Sequence, residues 1–415
     1  MVLLVGGNDF YTIQQFRVGG HPPSISTDSL DMPRALLLID EAGVDFAQEW
    51  KQKLLEGRMD AFVTLLLAQF RGITHLVLGR NFAKQNRLLG LLFRSVVCTR
   101  RSSCKNGSAL PTFENLRQVH CAPLTDPTAM RADKTADILP FFYLPQIKAI
   151  SAGLDNPAQL SWPCDAPMVS TITSLDLVHV REAALFSILS VVPKLKTLRW
   201  EWYYDRNFRH ETHTPLIDLD EITKALEPVR DTLEHLTVTA HCALADINNP
   251  WLDLKGSMVK LRDFAKLKSI RVPFAFLATF TPQRGVQLAE VIPVDIETVV
   301  LTDDLYPQAA FERDANGGIL GEVDQYEWTP EEIITAIKSW LCSWKATHSR
   351  LRSVTMLLEE DPWEEDVAQI FRGLSEKYGI EVGLVEKEEE WPQSVVLSDL
   401  VGFDEDRLSW TRADF

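Results

Sequence analysis

The sequence lacks the cysteine pattern of a disulfide-bonded protein. Its six cysteines are spread over 415 residues, and no Cys-x-x-Cys pair occurs. Small secreted folds that depend on disulfides have denser cysteines, and structural zinc sites need closely spaced ones. We therefore expect buried, reduced thiols in an intracellular protein of the cytoplasm or nucleus.

Long hydrophobic runs are also missing. A membrane-spanning helix needs roughly eighteen or more consecutive apolar residues, and no such stretch occurs. The opening residues 1–7 are apolar, but they have no basic start and no cleavage-like stretch, so they predict no secretory signal. We therefore expect no membrane partner.

Positive charge is scarce. The formal net charge is −16, and the segment from Glu359 to Phe415 holds seventeen acidic and five basic residues, or −12. A nucleic acid would be repelled by this balance, so we expect no nucleic-acid partner. We interpret the local basic run as a solvated loop: Arg94, Arg100, Arg101 and Lys105.

Motifs for nucleotide or acyl chemistry are absent or incomplete. No Gly-x-Ser-x-Gly elbow and no Gly-Lys-Ser or Gly-Lys-Thr phosphate motif occurs. The stretch Val5-Gly6-Gly7-Asn8 lacks the further glycine that a dinucleotide-binding turn needs. It indicates a turn after a first strand.

Metal-binding and acid–base patterns are weak. His210 and His213 could share a helical face, with His241 as a distant partner, but no third ligand has suitable spacing. The pair Asp303-Asp304 and the acidic runs 359–361 and 364–366 are typical of turns and solvated faces. We therefore predict no metal, no cofactor, no catalytic residues and no enzyme activity.

What the sequence does contain is a returning pattern of apolar residues. An aliphatic residue is followed three positions later by another, and two positions after that by a third apolar residue. The period-two end is typical of a short strand with one buried face. Such triplets also arise by chance, so the evidence is the helix and turn that precede most of them. The nine copies begin at Ile73, Leu116, Ile147, Ile172, Leu195, Leu233, Leu267, Ile296 and Leu351.

Helix-start signals lie between these strands. Thr329 precedes Pro330 and is followed three residues later by Glu332, which is capping-box spacing. Asp218 and Glu221 have the same spacing. Alternating strands and helices predict a parallel sheet with helices on its outer side. The strand starts are 23 to 55 residues apart, which brackets and then exceeds a leucine-rich repeat.

Several units resemble fungal F-box-associated, leucine-rich-repeat-like proteins. The resemblance is carried by Leu195-Lys-Thr-Leu-Arg-Trp, Arg230-Asp-Thr-Leu-Glu-His-Leu-Thr-Val and Phe264-Ala-Lys-Leu-Lys-Ser-Ile-Arg-Val, and residues 296–305 are similar. It covers roughly residues 45–385. It implies an α/β repeat array with a protein-binding surface. Full-length members often carry an N-terminal F-box that docks onto a ubiquitin-ligase adaptor.

The chain departs from that family in two places. Its nearest match to an F-box start is Met32-Pro33, and the following run Leu36–Ile39 predicts a strand, not an F-box helix. The asparagine that closes each repeat turn occurs only at Asn81. We therefore expect an irregular array, and a ubiquitin-ligase adaptor as partner only if an F-box lies outside this chain.

The predicted fold is α/β: an irregular leucine-rich-repeat-like solenoid, or horseshoe, with parallel strands on the concave side and helices outside. Residues 1–44 are predicted to form an N-terminal strand-and-loop cap, 45–385 the repeat array and 386–415 an acidic C-terminal tail. Trp200 and Trp202 share a strand face with Leu198, so we expect them to fill the core.

The same alternation predicts which residues face the concave groove. They lie between the buried positions of each strand, are polar and carry both signs of charge, which suits a protein or peptide partner. The predicted partner-binding residues are His75, His120, Asp176, Arg199, Glu201, His235, Thr237, Arg271, Thr298 and Thr355.

The sequence therefore predicts a non-catalytic scaffold for protein–protein interaction, related to the substrate-recognition modules of F-box ubiquitin ligases. Two alternatives stay open. One is a hydrolase or nucleotide-binding enzyme with its site in the loops, and the other is a structural protein without a specific ligand. A deep pocket with converging carboxylates or histidines would favour the enzyme.

Overall fold

The fold is that of a computed structural model. It describes residues 2–5, 25–28, 30–79, 87–101, 110–121, 134–154, 160–167, 170–204, 213–242, 252–282, 287–306, 309–313, 319–324, 327–358, 363 and 365–386. These residues form an α/β fold with one large parallel sheet and associated helices. Across these ranges, every helix is too short or too polar to cross a membrane.

Eleven strands form the main sheet, and their order in space is their order in the chain. Every neighbouring pair is parallel. The strands are β1 (Val2–Val5), β2 (His75–Leu78), β3 (Gln118–Cys121), β4 (Ala149–Gly153), β5 (Ser174–Val178), β6 (Thr197–Tyr204), β7 (His235–Cys242), β8 (Ser269–Pro273), β9 (Thr298–Thr302), β10 (Ser353–Leu358) and β11 (Glu381–Glu386).

Helices lie in most of the connections, as parallel neighbours require a crossover. They are α1 (Met32–Ala42), α2 (Ala47–Leu55), α3 (Met59–Leu67), α4 (Arg87–Arg101), α5 (Lys134–Ile138), α6 (Glu182–Leu189), α7 (Leu219–Leu226), α8 (Phe274–Ala278), α9 (Leu288–Val291), α10 (Pro330–Leu341), α11 (Trp344–Thr347) and α12 (Glu365–Tyr378). In the described part of the chain, 3-10 turns occupy Leu139–Tyr143, Glu227–Val229 and Val259–Asp263.

Among the residues that the structure describes, two small strand pairs lie outside the main sheet. Leu216–Asp218 pairs in parallel with Asp253–Lys255, and Ala309–Arg313 pairs antiparallel with Ile319–Asp324.

All nine predicted strands are present, as β2 to β10. Their register aligns the second residue of each strand across the whole sheet, and this row is aliphatic. Burying one such side chain stabilises the fold by about 1.5–3 kcal/mol. Because the row is continuous, each strand contributes to the core that its neighbours share. The row consists of Leu3, Leu76, Val119, Ile150, Leu175, Leu198, Leu236, Ile270, Val299, Val354 and Val382.

The tryptophans of β6 fill the core, as predicted. Trp200 and Trp202 are both fully buried. Each indole N–H has a partner: Trp200 Nε1 donates to the Val180 carbonyl at 2.7 Å, and Trp202 Nε1 donates to Glu182 Oε1 at 3.0 Å. A buried indole needs such a partner, because an unpaired buried N–H costs about 1–3 kcal/mol.

The predicted helix starts are confirmed at two positions. Thr329 forms a capping box with Glu332: the Glu332 N–H donates to Thr329 Oγ1 at 3.3 Å, and the Thr329 N–H donates to the Glu332 carboxylate at 3.0 Å. Asp218 accepts from the Glu221 N–H at 3.2 Å ahead of α7.

The prediction of a strand at Leu36–Ile39 is wrong, because these residues lie in α1. Asp31 caps the helix by accepting from the Arg34 N–H at 3.2 Å, and Gly43 ends it in the left-handed conformation. The buried residues Ala35, Ile39 and Ala42 are three and four positions apart, which is a helical spacing. The dense aliphatic run concealed this spacing. The segment 1–44 therefore contributes a main-sheet strand and a helix.

Candidate binding face

Among the described residues, one face of the main sheet is buried and the other is partly exposed. In β2 to β10 the second and fourth residues are buried, whereas the first and third are only partly buried or exposed. The buried positions join one hydrophobic core with residues of the helices, such as Leu92 and Phe93 of α4. We call the opposite surface the open face. It consists of the first and third residues of β2 to β10, continued by Glu201 and Thr239 in the longer strands β6 and β7.

The open-face residues form two rows because the register is continuous. The first row is His75, Gln118, Ala149, Ser174, Thr197, His235, Ser269, Thr298 and Ser353. The second row is Val77, His120, Ser151, Asp176, Arg199, Thr237, Arg271, Val300 and Thr355.

All ten residues predicted to bind a partner lie on the open face. Neighbours along a row are about 5 Å apart, the spacing of adjacent strands. The first row holds His75, His235 and Thr298, the second row holds His120, Asp176, Arg199, Thr237, Arg271 and Thr355, and Glu201 follows Arg199 on β6. The fold therefore brings them onto one surface, and their role in binding stays a prediction.

Side chains interact along both rows. Ser151 Oγ donates to Asp176 at 2.9 Å, and His235 Nδ1 lies 2.7 Å from Ser269 Oγ. Ser353 Oγ donates to Thr298 Oγ1 at 3.3 Å. These contacts hold polar groups in fixed positions, so a partner meets a partly preorganised surface.

Two open-face histidines are held towards their neutral form. Burial lowers the pKa of His120, and the nearby Asp176 carboxylate opposes this shift. Burial also lowers the pKa of His75, assisted by the positive charge of Arg117. The fixed positive charge of the second row therefore comes from Arg199 and Arg271.

Aromatic rings meet at the C-terminal ends of β5, β6 and β7, beside the open face. Tyr203 is stacked on His179, with ring centroids 4.7 Å apart and planes 9° apart. It is also stacked on His241 of the neighbouring strand, at 5.8 Å and 15°. Tyr204 is stacked on His213 at 5.0 Å and 22°. We call these five rings the His–Tyr cluster.

The sequence did not predict this cluster. It considered His213 and His241 only as weak candidates for a metal site, whereas His241 lies in β7 and pairs with Tyr203. His210 lies outside the described residues. The signal that could have predicted the cluster was the length of β6 and β7, which have eight residues each. Because these strands are long, Tyr203 and His241 lie beyond the ends of the shorter neighbouring strands.

His179 has a strained backbone within the cluster. Its φ is 66°, a region that costs a residue with a Cβ about 1–2 kcal/mol. Its ring lies 3.7 Å from Glu201. The segment after His179 is held in place by the buried Arg181, which donates to the carbonyls of Thr214 at 2.8 Å and Leu216 at 2.7 Å. Such strain persists where the surroundings hold the backbone in place.

The acidic pair Asp303-Asp304 lies at the end of β9 and is buried. Asp304 accepts from the N–H of Ala240 at 2.6 Å. β7 extends beyond the end of its neighbour β8, so the Asp304 carboxylate, and not β8, supplies the hydrogen-bond acceptor for the Ala240 N–H. The contact therefore favours a structural role. The pair lies at a turn, as predicted, but it is buried and not solvated.

Within the described ranges, no group of three or more histidine, cysteine, aspartate or glutamate side chains is arranged to hold a metal ion. The motif Gly6-Gly7-Asn8 and the acidic run 359–361 lie outside the described residues.

Comparison with protein-family models, with curated proteins and with solved structures found no match to the chain.

Proposed function

We propose that the chain is a leucine-rich-repeat-like solenoid whose open face is the concave side of a horseshoe and binds a protein or peptide partner without catalysis. The strand order supports this arrangement, since each strand pairs with the next in the chain. Helices are wider than strands, so a parallel sheet with helices on one side only curves with its strands inside.

The observation that carries the binding proposal is a long parallel sheet, one face of which is polar and only partly buried among the described residues. Parallel sheets are normally covered on both faces, so a partly exposed polar face needs an explanation. Its second row places Asp176, Arg199, Thr237 and Arg271 side by side. Arginine is among the side chains enriched in binding hot spots.

The same proposal has two further parts: the chain is related to fungal F-box-associated proteins, and it is located in the cytoplasm or nucleus. In that family the F-box precedes the repeats. Here the helices α1 to α3 follow β1, which pairs with β2. A ubiquitin-ligase adaptor is therefore a partner only if an F-box lies outside this chain.

The first prediction concerns charge reversal on the open face. The intact chain, immobilised and exposed to a cell extract, is expected to capture a specific partner. Arg199→Glu combined with Arg271→Glu should reduce capture by about tenfold or more, because a central hot-spot residue contributes about 2 kcal/mol or more. Capture is measured by quantitative mass spectrometry.

The matched control is Lys194→Glu with Lys266→Glu. These lysines are exposed in turns ahead of β6 and β8, so the control changes net charge equally without altering the open face. Thermal unfolding tests whether each variant folds. Thr237→Arg, which adds bulk between the two arginines, is a second variant in case the double reversal unfolds. Retained capture by both folded variants, or equal loss from the control, would contradict the proposal, and no capture by the wild type would favour a structural role.

A further inference from the structure

Two neighbouring side chains of β3 carry polar atoms that the fold buries without pairing them. Gln118 and His120 are the first and third residues of the strand, so both lie on the open face. Among the described residues, Gln118 Oε1 and His120 Nδ1 are buried atoms that have no hydrogen-bond partner. Folded proteins pair nearly all such atoms, because an unpaired buried polar group costs stability. A ligand that supplies the missing partners would explain why both are kept on one surface.

The next strand leaves room for a ligand beside these two side chains. The open-face residues of β4 that lie next to Gln118 and His120 are the small Ala149 and Ser151. β4 therefore forms a low floor between the longer side chains of β3 and Asp176 of β5. Ser151 Oγ donates to the Asp176 carboxylate at 2.9 Å, so this carboxylate is directed towards β4. We call Gln118, His120, Ser151 and Asp176 the polar niche.

The polar niche offers hydrogen-bond acceptors and a negative charge. The Asp176 carboxylate and the Gln118 amide oxygen are acceptors. Burial lowers the pKa of His120, and the neutral ring that this favours has one acceptor nitrogen. In the two open-face rows of β2 to β5, Asp176 is the only side chain with a fixed charge. The matching ligand is therefore a cationic donor, whose hydrogen bonds to a carboxylate are stronger than those between neutral groups.

We propose that the polar niche binds an arginine or lysine side chain of the partner, a step that rests on the proposed function of the open face. Both side chains carry several N–H donors and no acceptor, which complements the niche. Arginine suits it better than lysine, because a planar guanidinium donates to two acceptors at once.

The second row then has ends of opposite charge, and this sets the spacing of charges in the partner. Arg199 and Arg271 flank Thr237 of β7, which lies three strands from the floor of the niche on β4. Adjacent strands are about 4.8 Å apart, so the two centres are about 14 Å apart. An extended peptide crosses this distance in about four residues. We therefore expect a basic and an acidic residue about four positions apart in the partner.

The second prediction is tested by selecting peptides that bind the full chain from a display library of random sequences. Enriched peptides should carry arginine or lysine about four positions from aspartate or glutamate. Selection on Asp176→Asn, which removes the charge and keeps the shape, should lose the preference for the basic residue and keep that for the acidic one. Asp263→Asn is the matched control, because Asp263 is exposed in a turn ahead of β8, and it should keep both preferences.

One enriched peptide then measures the contact directly. By fluorescence anisotropy, Asp176→Asn should weaken binding about tenfold, and replacing the basic residue of the peptide by glutamine should have the same effect. The two changes together should weaken binding no more than either change alone, because both break one contact.

Gln118 distinguishes a ligand site from a structural contact. Gln118→Met removes the unpaired oxygen and keeps a long side chain, so the unfolding temperature should stay the same or rise while peptide binding weakens severalfold. A lower unfolding temperature with unchanged binding would show that Gln118 serves the fold. This variant decides the question alone if Asp176→Asn does not fold.

The proposal is overturned if no peptide is enriched, if enriched peptides lack a basic residue, or if Asp176→Asn keeps the basic preference. Enrichment of acidic peptides alone, lost when Arg199→Glu is combined with Arg271→Glu, would remove the niche and leave the proposed function of the open face in place.

Discussion

Asp60 shows how a single buried side chain can join two distant helices. It lies in α3 with 7% of its surface exposed, and its carboxylate accepts from the backbone N–H groups of Leu88 at 2.8 Å and Leu89 at 3.4 Å. These groups belong to the first turn of α4, whose N–H groups have no partner within the helix. Burial raises the pKa of Asp60 to about 7, although the two N–H donors oppose the shift.

The third prediction follows from this raised pKa. In the unfolded chain the carboxyl has an ordinary pKa of about 3.9, so the folded protein binds its proton more tightly. The resulting stabilisation is complete below the unfolded pKa and is lost as the pH rises through about 7. Asp60→Asn removes this dependence, so between pH 5 and pH 8 it should gain on the order of 2 kcal/mol in unfolding free energy relative to the wild type.

Chemical denaturation at several pH values measures the effect. Asp60→Ala is the control, because it also removes the acceptor and should lose about 1–2 kcal/mol at high pH. Parallel stability curves for the wild type and Asp60→Asn across this range would show that the carboxyl titrates normally.

At the scale of elements, the distance between α4 and α5 depends on one glycine. A Cβ placed on Gly90 would lie 2.7 Å from the backbone Cα of Asp137, closer than such atoms come in real proteins. Backbone atoms cannot rotate away as a side chain can. Gly90 therefore permits a close helix contact that alanine would prevent.

The fourth prediction compares two glycine-to-alanine substitutions. Gly90→Ala should destabilise the protein by about 1–3 kcal/mol, because α4 and α5 must separate. Gly373 in α12 is the matched control: it is helical and exposed, and a Cβ there meets nothing within 4 Å. Gly373→Ala should stabilise the protein by up to about 1 kcal/mol through helix propensity. Urea denaturation distinguishes the two, and a stabilising Gly90→Ala would disprove the close contact.

At the scale of the whole molecule, charges link successive units along the N-terminal edge of the sheet. Glu234 lies between two lysines, 2.8 Å from Lys196 and 2.5 Å from Lys268. Glu297 and Arg352 continue the series at 3.6 Å. These residues directly precede β6 to β10, so opposite charges alternate from one unit to the next. The hydrogen bonds from Lys196 and Lys268 lower the pKa of Glu234 to about 2.

The fifth prediction concerns acid stability. Because the folded pKa of Glu234 is below its unfolded value, its contribution is present above about pH 4.3 and disappears as the pH falls through about 2. Glu234→Gln should lose about 1 kcal/mol at pH 7, since water screens the half-exposed lysines, and nothing at pH 2. Denaturation at low ionic strength measures this loss. A difference from the wild type that stays constant between pH 7 and pH 2 would contradict it.

Much of the local structure could be predicted because it depends on residues close together in the chain. Alternation within each triplet placed β2 to β10 and identified the open-face side chains, and the spacing of Thr329 and Glu332 placed the start of α10. The same reasoning failed at Leu36–Ile39, where a dense aliphatic run satisfies both strand and helix patterns. The helix is favoured by Asp31, which caps its N-terminus, and by Gly43, which ends it in the left-handed conformation.

The amino-acid sequence by itself determined the strands, most of their buried faces and the mixture of charges they display, since period and capping are short-range properties. Only the tertiary structure decided which distant residues meet. It placed His179 and His241 against Tyr203, and Asp60 at the start of α4. Such contacts depend on the register and lengths of the strands and on the packing of the connections between them. Register, strand length and packing follow from cooperative burial across units, so they cannot be predicted from any single stretch of the chain.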